Sequence, residues 1–402
     1  MSAPGPPRQV ITAVLVGVGF ALLPLSTDLY LAALPTLRRE FATGVAEVQL
    51  TLSVFIAAFA LSQLAYGPLS DRYGRRPVLL AGIAIYVAAT LFCALAPSIE
   101  WLLAGRFAQA VGACSGQVIG RAIVRDVHGA QGAARMLGYI TAGTALAPVF
   151  GPAIGGLLTV AFGWRANFAL LAIVGALLLA AAARLLAESN VHRDPRATSP
   201  GALARNYAAL LADRRFTGHA LCVAASYGGV FAWISGSAFV LIESLGVPVA
   251  WFGVWFGLSV IPYVAANLVT GRMVTRIGPH RILRVGVSVA LGAGLLLAGL
   301  ALAGVHNLPA LLLPVALYLF ATGLNLPCAM AGAIGPFPKL AGTASALMGF
   351  MQMATGAAVG VTVGRLHDGT PVPTALAIAA MTVAIAAAWL SVVPRTATST
   401  AS

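Results

Sequence analysis

Long apolar runs, each long enough for a helix that crosses a lipid bilayer, dominate this sequence. A bilayer-spanning helix needs about 20 mostly apolar residues, and twelve such runs occur in the 402-residue chain. They lie at about 10–34, 48–69, 77–97, 101–124, 136–162, 166–187, 217–242, 249–271, 282–303, 309–334, 342–366 and 372–393. The runs predict an all-α integral membrane protein with 12 transmembrane helices.

Composition excludes the main alternatives to a membrane protein. Only 9% of the residues are charged and 59% are hydrophobic, whereas soluble domains carry about 25% charged residues. The net charge of +13 comes almost entirely from scattered arginines, because Lys339 is the one lysine. Without a dense basic patch, a nucleic-acid partner is not expected.

Cysteines and histidines indicate neither disulfides nor metal or cofactor sites. Cys93, Cys114, Cys222 and Cys328 all fall inside apolar runs, which predicts small buried side chains without disulfides. The six histidines lie in loops or near the ends of the apolar runs, so no pair is placed to ligate haem or a metal. No nucleophile or cofactor constellation is present either, and an enzyme is not expected.

One charge-rich connection divides the chain into two halves. It covers about 188–216 and begins ESNVHRDPRATSPG. We therefore expect an N-terminal six-helix bundle at 1–187, a solvated cytoplasmic linker at 188–216 and a C-terminal six-helix bundle at 217–402. With the N-terminus inside, the arginine bias places both termini in the cytoplasm. The opposite side then holds only Arg38, Arg39, Arg165 and Arg365.

The two halves also read as repeats of each other. GPLSDRYGRR (67–76) and GRMVTRIGPH (271–280) each connect the second and third helices of a half. Three positions match, namely Gly67 with Gly271, Arg72 with Arg276, and Gly74 with Gly278. Asp71 aligns with Thr275, so the acidic residue is present only in the first copy of the motif. Parallel repeats of six helices are an established transporter architecture.

Two charges lie within predicted spans, where a charge is costly. Asp28 lies in LPLSTDLYLAALP and Arg106 in WLLAGRFAQAVGA. A charge in the middle of a transmembrane helix costs about 2.5–3.5 kcal/mol on insertion scales. Two interpretations are open: a static ion pair between helices 1 and 4, or a functional site at which Asp28 takes and releases a proton.

Nine further polar or amphipathic side chains lie within spans. Each is a candidate for the substrate cavity, or for an interhelical hydrogen bond instead. They are Tyr30, Gln49, Gln109, Gln117, Tyr227, Trp233, Asn267, Asn325 and Gln352.

Helix 5 carries a stripe of small residues and two prolines in AGTALAPVFGPAIGG (142–156). Small residues at four-residue spacing allow close packing of a partner helix, and prolines permit a bend. The stretch predicts either ordinary tight packing or a bendable contact between halves that seals one side of the membrane. Its motif residues are Gly143, Pro148, Gly151, Pro152, Gly155 and Gly156.

These motifs resemble the major facilitator superfamily, in particular its drug–proton antiporters of the Bcr/CflA type. The resemblance rests on STDLYLAALP (26–35) with QLTLSVF (49–55), on GPLSDRYGRRPVLL (67–80), and on RFAQAVGA (106–113) ending in RAIVRD (121–126). The helix 5 stretch and GPFPKLAGTASALMG (335–349) add to it. The resemblance spans the whole chain, and its loop and helix 5 motifs are the most specific.

The resemblance implies a 12-helix fold that exports amphipathic antibiotics by alternating access across the bacterial inner membrane, driven by protons. Phenicols, bicyclomycin or sulfonamides are the implied substrates, with no cofactor beyond the proton gradient and a monomer as the expected state. By matching position, Asp28 would be the protonated acid and Arg106 its coupling residue. The implied cytoplasmic gate comprises Asp71, Arg72, Arg75, Arg76 and Asp126, facing Gly342 and Thr343 at the start of helix 11.

Helix 1 has no second acid before Asp28, in contrast with some multidrug relatives. A single membrane acid favours one proton per cycle and neutral or zwitterionic substrates. The alternative function is a proton-coupled uptake symporter for a sugar or small metabolite on the same fold.

Overall fold

A computed structural model describes residues 6–144, 146–190, 200–337 and 340–392. Both chain ends, residues 191–199 of the expected linker and Lys339 lie outside the described residues. All regular structure in the described part is helical.

The helices before the linker are α1 to α7. Their bounds are α1 Pro6–Leu31, α2 Leu34–Glu40, α3 Val45–Tyr73, α4 Arg75–Ala94, α5 Ile99–Thr144, α6 Ala147–Phe162 and α7 Arg165–Leu185. The helices that follow are α8 Pro200–Ala212, α9 Arg214–Ala238, α10 Val249–Ile277, α11 Pro279–Leu302, α12 Leu308–Ile334, α13 Ala341–Leu366 and α14 Val372–Val392. A short π-helix, Phe239–Ser244, extends α9.

Ten of the described helices are long and apolar enough to cross a membrane, and Ala147–Phe162 is a shorter apolar helix. Helices suit a bilayer because they satisfy every interior backbone hydrogen bond within one segment. The expected run at 101–124 lies inside α5, which is interrupted at Gly129 (φ 65°, ψ 178°). The expected fifth helix at 136–162 corresponds to the last part of α5, which ends at Thr144, together with α6, which begins at Ala147.

Helix contacts divide the molecule into two groups. The first bundle comprises α1 to α7, and the second bundle comprises α9 to α14 with the π-helix. Within each bundle the helices pack mainly against one another, while α3 with α13 and α6 with α10 form the principal contacts between bundles. These two helix pairs make most of the contact between the halves.

The α3–α13 contact is antiparallel. Gly364 lies against Gln49, Gly360 against Ser53, and Gly349 against Gln63. The start of α3 is consequently close to the end of α13. We call the end of the molecule with α2 and the start of α3 the Arg38 end, and the end with the α3–α4 turn the Asp71 end. A 29-residue α3 separates them by roughly 43 Å.

The linker is more ordered than a solvated connection. Its described part contains α8, which packs against α9 and α13. Leu210 of α8 is 1% exposed. The expectation of a wholly solvated linker is therefore corrected for 200–212.

The cysteine prediction is confirmed. Cys93, Cys114, Cys222 and Cys328 are all buried and free. They act as small apolar side chains in the helix packing.

Candidate functional site

The α3–α4 turn is built around a glycine that the backbone requires. Gly74 has φ 104° and ψ 155°, and Gly278 in the α10–α11 turn has φ 79° and ψ 151°. Positive φ of this size favours glycine, which has no Cβ to clash. The glycine shared by the two sequence motifs therefore produces the same sharp turn in both bundles.

Arg75 is the centre of a charge network at this turn. Its Nε donates to Oδ2 of Asp126 at 3.0 Å, and its Nη1 donates to Asp71 and to Oγ of Ser70. Arg75 is 6% exposed, so two carboxylates compensate one buried guanidinium. The structure thus brings together Asp71, Arg75 and Asp126, three of the residues that the resemblance places in the cytoplasmic gate.

Glu188, which the sequence reasoning did not select, completes the turn. Its two carboxylate oxygens accept hydrogen bonds from the backbone N–H groups of Arg75 and Arg76, at 2.9 and 3.2 Å. N–H groups at the first turn of a helix have no hydrogen-bond partner within the helix, and a negative charge is favourable there. Glu188 follows the end of α7, and only the packing of α7 beside the start of α4 reveals that it caps α4.

The other two predicted gate arginines lie at the edge of this network. Arg76 donates from Nη2 to the carbonyl oxygen of Ala183 at 2.7 Å. The Arg72 guanidinium lies 5.2 Å from the centre of the Tyr73 ring. The Arg76 contact joins the turn to the end of α7, whereas the Arg72 contact lies within the turn itself.

A cavity of about 570 Å³ opens at the Asp71 end, between the two bundles. Asp71 lies on its first-bundle wall, and Gly342 and Thr343 lie on its second-bundle wall. Its principal polar lining residues are Gln63, Ser70, Asp71, Arg75, Arg121, Arg125, Tyr207, Thr343 and Ser345. Sequence reasoning did not select Gln63 or Arg121 as cavity residues, because their facing partners come from the other bundle.

Asp28 is buried where α1 meets α6. The side chain is 2% exposed, and Oδ1 accepts a hydrogen bond from Oγ1 of Thr27 at 3.1 Å. A Cβ added at Gly151 of α6 would lie 2.9 Å from the Cβ of Asp28. Helix α1, which carries Asp28, also contacts α9 of the second bundle. The acid therefore lies at a junction of the two bundles.

Arg106 is buried in an aromatic cage within the first bundle. It is 0% exposed, and its guanidinium carbon lies 4.1 Å from the centre of the Phe55 ring and 4.9 Å from that of Tyr30. Nη1 donates to the carbonyl oxygen of Ser26 at 3.0 Å and to Oε1 of Gln109 at 2.6 Å. Aromatic faces and carbonyl oxygens thus stabilise its charge.

Asp28 and Arg106 form no ion pair in this structure. Four ion pairs occur among the described residues, and neither residue takes part in them. Arg106 instead contacts the backbone of Ser26, two positions before Asp28. The predicted static ion pair between the first and fourth membrane helices, which are α1 and the first part of α5, is therefore absent between Asp28 and Arg106.

Tyr30 and Gln109, two of the nine predicted cavity residues, belong to the Arg106 network. Tyr30 shares a 2.5 Å hydrogen bond with Thr51, and Nε2 of Gln109 donates to Oγ1 of Thr90 at 2.9 Å. These bonds link α1, α3, α4 and α5 inside one bundle.

The remaining predicted cavity residues are distributed between packing contacts and half-buried positions. Trp233 donates to Oγ of Ser259 at 3.1 Å, and Asn267 donates to the Tyr263 carbonyl at 2.9 Å. Gln49 packs on Gly364 and Asn325 on Gly286. Half-buried positions are taken by Gln117, Tyr227 and Gln352. None of the nine lines the 570 Å³ cavity as far as the chain is described, and their role in substrate binding stays a prediction.

The glycines of the motif predicted for the fifth membrane helix, most of which lie on α6, make two different contacts. Gly151 and Gly155 pack against Asp28 and Leu29 of α1, so closely that a Cβ at 155 would overlap the Leu29 backbone. Gly156 alone among them approaches the second bundle, at the carbonyl oxygen of Val249. Gly143 has no neighbour within 4 Å of an added Cβ. The stripe thus packs mainly within its own half.

The close approach of α10 to α6, between the bundles, depends on two glycines that the sequence analysis did not select. Gly253 and Gly257 of α10 lie against Ala153 and Val149 of α6. Their four-residue spacing is the signal that could have found them, since it marks helix faces that pack closely in membranes.

The sequence profile of the Major Facilitator Superfamily matches residues 16–361. A transporter of Bacillus subtilis named as an uncharacterized MFS-type transporter is 33% identical over 369 residues, covering 91% of each chain. The bicyclomycin resistance protein homolog of Haemophilus influenzae is 28% identical and covers 89% of this chain and 90% of its own. Multidrug resistance protein D of Escherichia coli is 30% identical and covers 85% and 84%.

Solved structures show the same fold. The D-xylose–proton symporter superposes with a TM-score of 0.73 at 14% identity, covering 95% of this chain and 97% of its own. This chain belongs to the Major Facilitator Superfamily, and it is a multi-pass membrane transporter rather than an enzyme.

Proposed function

We propose that the chain crosses the membrane 12 times as two six-helix halves, with both termini and the Asp71 end in the cytoplasm. The ten apolar helices supply ten crossings. The break at Gly129 lets α5 supply an eleventh, and its remainder continues into α6 as the twelfth. The grouping of helix contacts and the equivalent turns at Gly74 and Gly278 support two halves at about 1–187 and 217–402.

The function that the site supports best is proton-coupled export of amphipathic small molecules, among them phenicol-, bicyclomycin- or sulfonamide-like antibiotics. The observation that carries it is the position of Asp28, a buried acid with no ion-pair partner in the described chain, at the junction of α1, α6 and the second bundle. Protonation there changes the charge at a contact between moving halves. Relatives named for resistance to bicyclomycin and to multiple drugs support drugs as the cargo.

The asymmetry of the two ends supports alternating access as the mechanism. At the Asp71 end a cavity of about 570 Å³ separates the bundles. At the other end Arg38 and Glu243 join them, and α10 glycines pack tightly on α6. We infer that substrate reaches the site from the cytoplasm in this state, and that the Arg75 network closes against α13 in the opposite state. No cofactor besides the proton gradient and no second subunit is part of the proposal.

The second candidate is proton-coupled uptake of a sugar or small metabolite. Its support is the similarity to the D-xylose–proton symporter, which at 14% identity concerns the fold alone. The glycine-rich packing of α6 between α1 and α10 favours export, as the helix 5 motif does in the resemblance.

The test is a resistance screen in a bacterial host lacking its own efflux pumps. Wild-type protein is expected to raise the inhibitory concentration of at least one amphipathic antibiotic, and to lose this when a protonophore collapses the gradient. Asp28→Asn should abolish resistance at equal membrane abundance, whereas Asp368→Asn, at the exposed α13–α14 loop, should keep it. Full resistance with Asp28→Asn would remove Asp28 as the proton site, and sugar accumulation without drug export would favour the symporter.

A further inference from the structure

The cavity at the Asp71 end has an unbalanced charge. Three arginines and one aspartate line its described wall: Arg75, Arg121, Arg125 and Asp71. Arg75 is already neutralised by Asp71 and Asp126. Neither Arg121 nor Arg125 forms an ion pair with a described residue, and both lie on the surface that a substrate from the cytoplasm would meet.

Arg121 is held in place without a carboxylate partner among the described residues. Nη1 donates to Oγ of Ser345 on α13 at 3.3 Å, and the guanidinium carbon lies 6.0 Å from the Phe20 ring centre. Its Nε is buried and has no hydrogen-bond partner among the described residues. None of the ion pairs in the described chain includes it. A fixed cation with a free donor is an incomplete anion site.

The opposite wall adds a second positive element. The start of α13 lines the cavity with Ala341, Gly342 and Thr343. Its cap residue Leu340 offers no side-chain hydrogen bond to the first N–H groups of this 26-residue helix. The dipole of α13 favours an anion at this position.

The rest of the cavity suits an amphipathic molecule. Gln63 lies on the wall, is 4% exposed, and its Oε1 has no partner in the described chain. Apolar lining comes from Leu64, Val118, Ala122, Leu137, Ile334 and Ala346. A ring system can pack on this apolar surface while one polar group reaches Arg121.

We propose that this cavity binds amphipathic organic anions, with Arg121 and the start of α13 holding a carboxylate or sulfonate group. The inference rests on the proposed export function and narrows its substrate class to acids, and to zwitterions through their anionic end. Organic cations are disfavoured by Arg121 and Arg125, for which the described chain offers no ion-pair partner. Sulfonamide antibiotics, which are weak acids, fit this class better than cationic dyes.

The test measures equilibrium binding to purified full-length protein in phosphatidylcholine nanodiscs, where no anionic lipid competes. The probes are 2-naphthalenesulfonate, its neutral analogue 2-naphthalenesulfonamide and the cation 2-naphthylmethylammonium, compared by titration calorimetry. Wild type is expected to bind the sulfonate roughly tenfold more tightly than the sulfonamide, the size of one charge-assisted hydrogen bond. The cation should bind most weakly.

Variants separate a specific site from general positive charge. Arg121→Gln should remove the preference for the sulfonate and leave sulfonamide binding unchanged, and Arg121→Lys should keep part of it. Arg276→Gln, at an exposed position of α10 outside the cavity lining, changes the net charge equally and should keep the full preference.

Equal wild-type affinity for sulfonate and sulfonamide would overturn the proposal even if a variant failed to fold. Equal losses in Arg121→Gln and Arg276→Gln would do the same. Because binding is measured without transport, drug resistance in the host screen combined with no anion preference would overturn this inference alone.

Discussion

Nη1 of Arg38 donates to Oε2 of Glu243 at 2.7 Å, and this ion pair joins the two bundles at the Arg38 end. Arg38 belongs to α2 and Glu243 to the π-helix that extends α9. The contact crosses the molecule at the end opposite the cavity. It is therefore placed to favour the state in which the Asp71 end is open.

Removing this pair should shift the protein toward states open at the Arg38 end. Exposed ion pairs contribute about 0.2–1 kcal/mol, so Glu243→Gln should change the populations by up to about fivefold. Distances between spin labels at positions 47 and 250, in a background without native cysteines, would measure the shift. The exchanged pair Arg38→Glu with Glu243→Arg should restore the wild-type distribution. Identical distance distributions in wild type and Glu243→Gln would show that the pair has no role in the equilibrium.

Gly155 should tolerate no side chain. A Cβ there would overlap the backbone of Leu29, so α6 would have to move away from α1. Overpacking of this kind costs roughly 1–3 kcal/mol, and Gly155→Ala should unfold at a lower temperature in detergent. Gly143→Ala is the control, because an added Cβ meets nothing within 4 Å. Equal thermal stability of Gly155→Ala and Gly143→Ala would contradict the packing described for α6.

Asp71→Asn should slow transport with little loss of stability. Arg75 keeps its bonds to Asp126 and Ser70 when Asp71 is neutral, and the Asp71 side chain is 46% exposed. The charge that we place in the gate is lost, while the turn remains. Thr275→Asn changes the equivalent position of the second turn and should transport normally. The rate of drug efflux per protein in membrane vesicles is the measurement, and a normal rate for Asp71→Asn would remove it from the gate.

Arg106 should not be replaceable by lysine. A lysine retains the charge but lacks the flat guanidinium that lies over Phe55 and that reaches both the Ser26 carbonyl and Gln109. Each buried group left unpaired costs about 1–3 kcal/mol, so Arg106→Lys should lower the Tm clearly. Arg165→Lys, at an exposed ion pair with Glu40, should change it little. A wild-type Tm for Arg106→Lys would mean that charge alone is required.

The ionised Glu40 carboxylate should stabilise the fold at neutral pH and lose this effect at acidic pH. Burial raises the pKa of Glu40, but hydrogen bonds from Arg165 and Trp164 outweigh it and hold the pKa below its ordinary value of 4.5. A carboxyl with a lowered pKa stabilises the fold above its unfolded-state pKa, and the effect disappears as pH falls through the folded-state pKa. The Tm difference between wild type and Glu40→Gln should thus be largest at neutral pH and shrink below pH 4.5. A constant difference would show that ionisation of Glu40 is irrelevant.

The membrane helices, the glycine turns and the buried cysteines could be predicted from the sequence, because each depends on the residues of a single chain segment. Apolar runs of sufficient length predicted the membrane helices, since a backbone in lipid must satisfy its hydrogen bonds within the segment. The repeated glycine at positions 74 and 278 predicted equivalent turns, which the positive φ angles explain. Cysteines in apolar runs predicted buried free thiols.

The tertiary structure alone decided which side chains meet across helices far apart in the sequence. It placed Glu188 at the start of α4, Gly253 against α6, and Arg121 beside the start of α13. It also left Asp28 and Arg106 without an ion pair between them, although both lie within predicted spans and carry opposite charges. Periodicity within a helix fixes which residues share a face. It does not fix the partner that covers the face, because helix crossings are set by packing between segments that no local pattern connects.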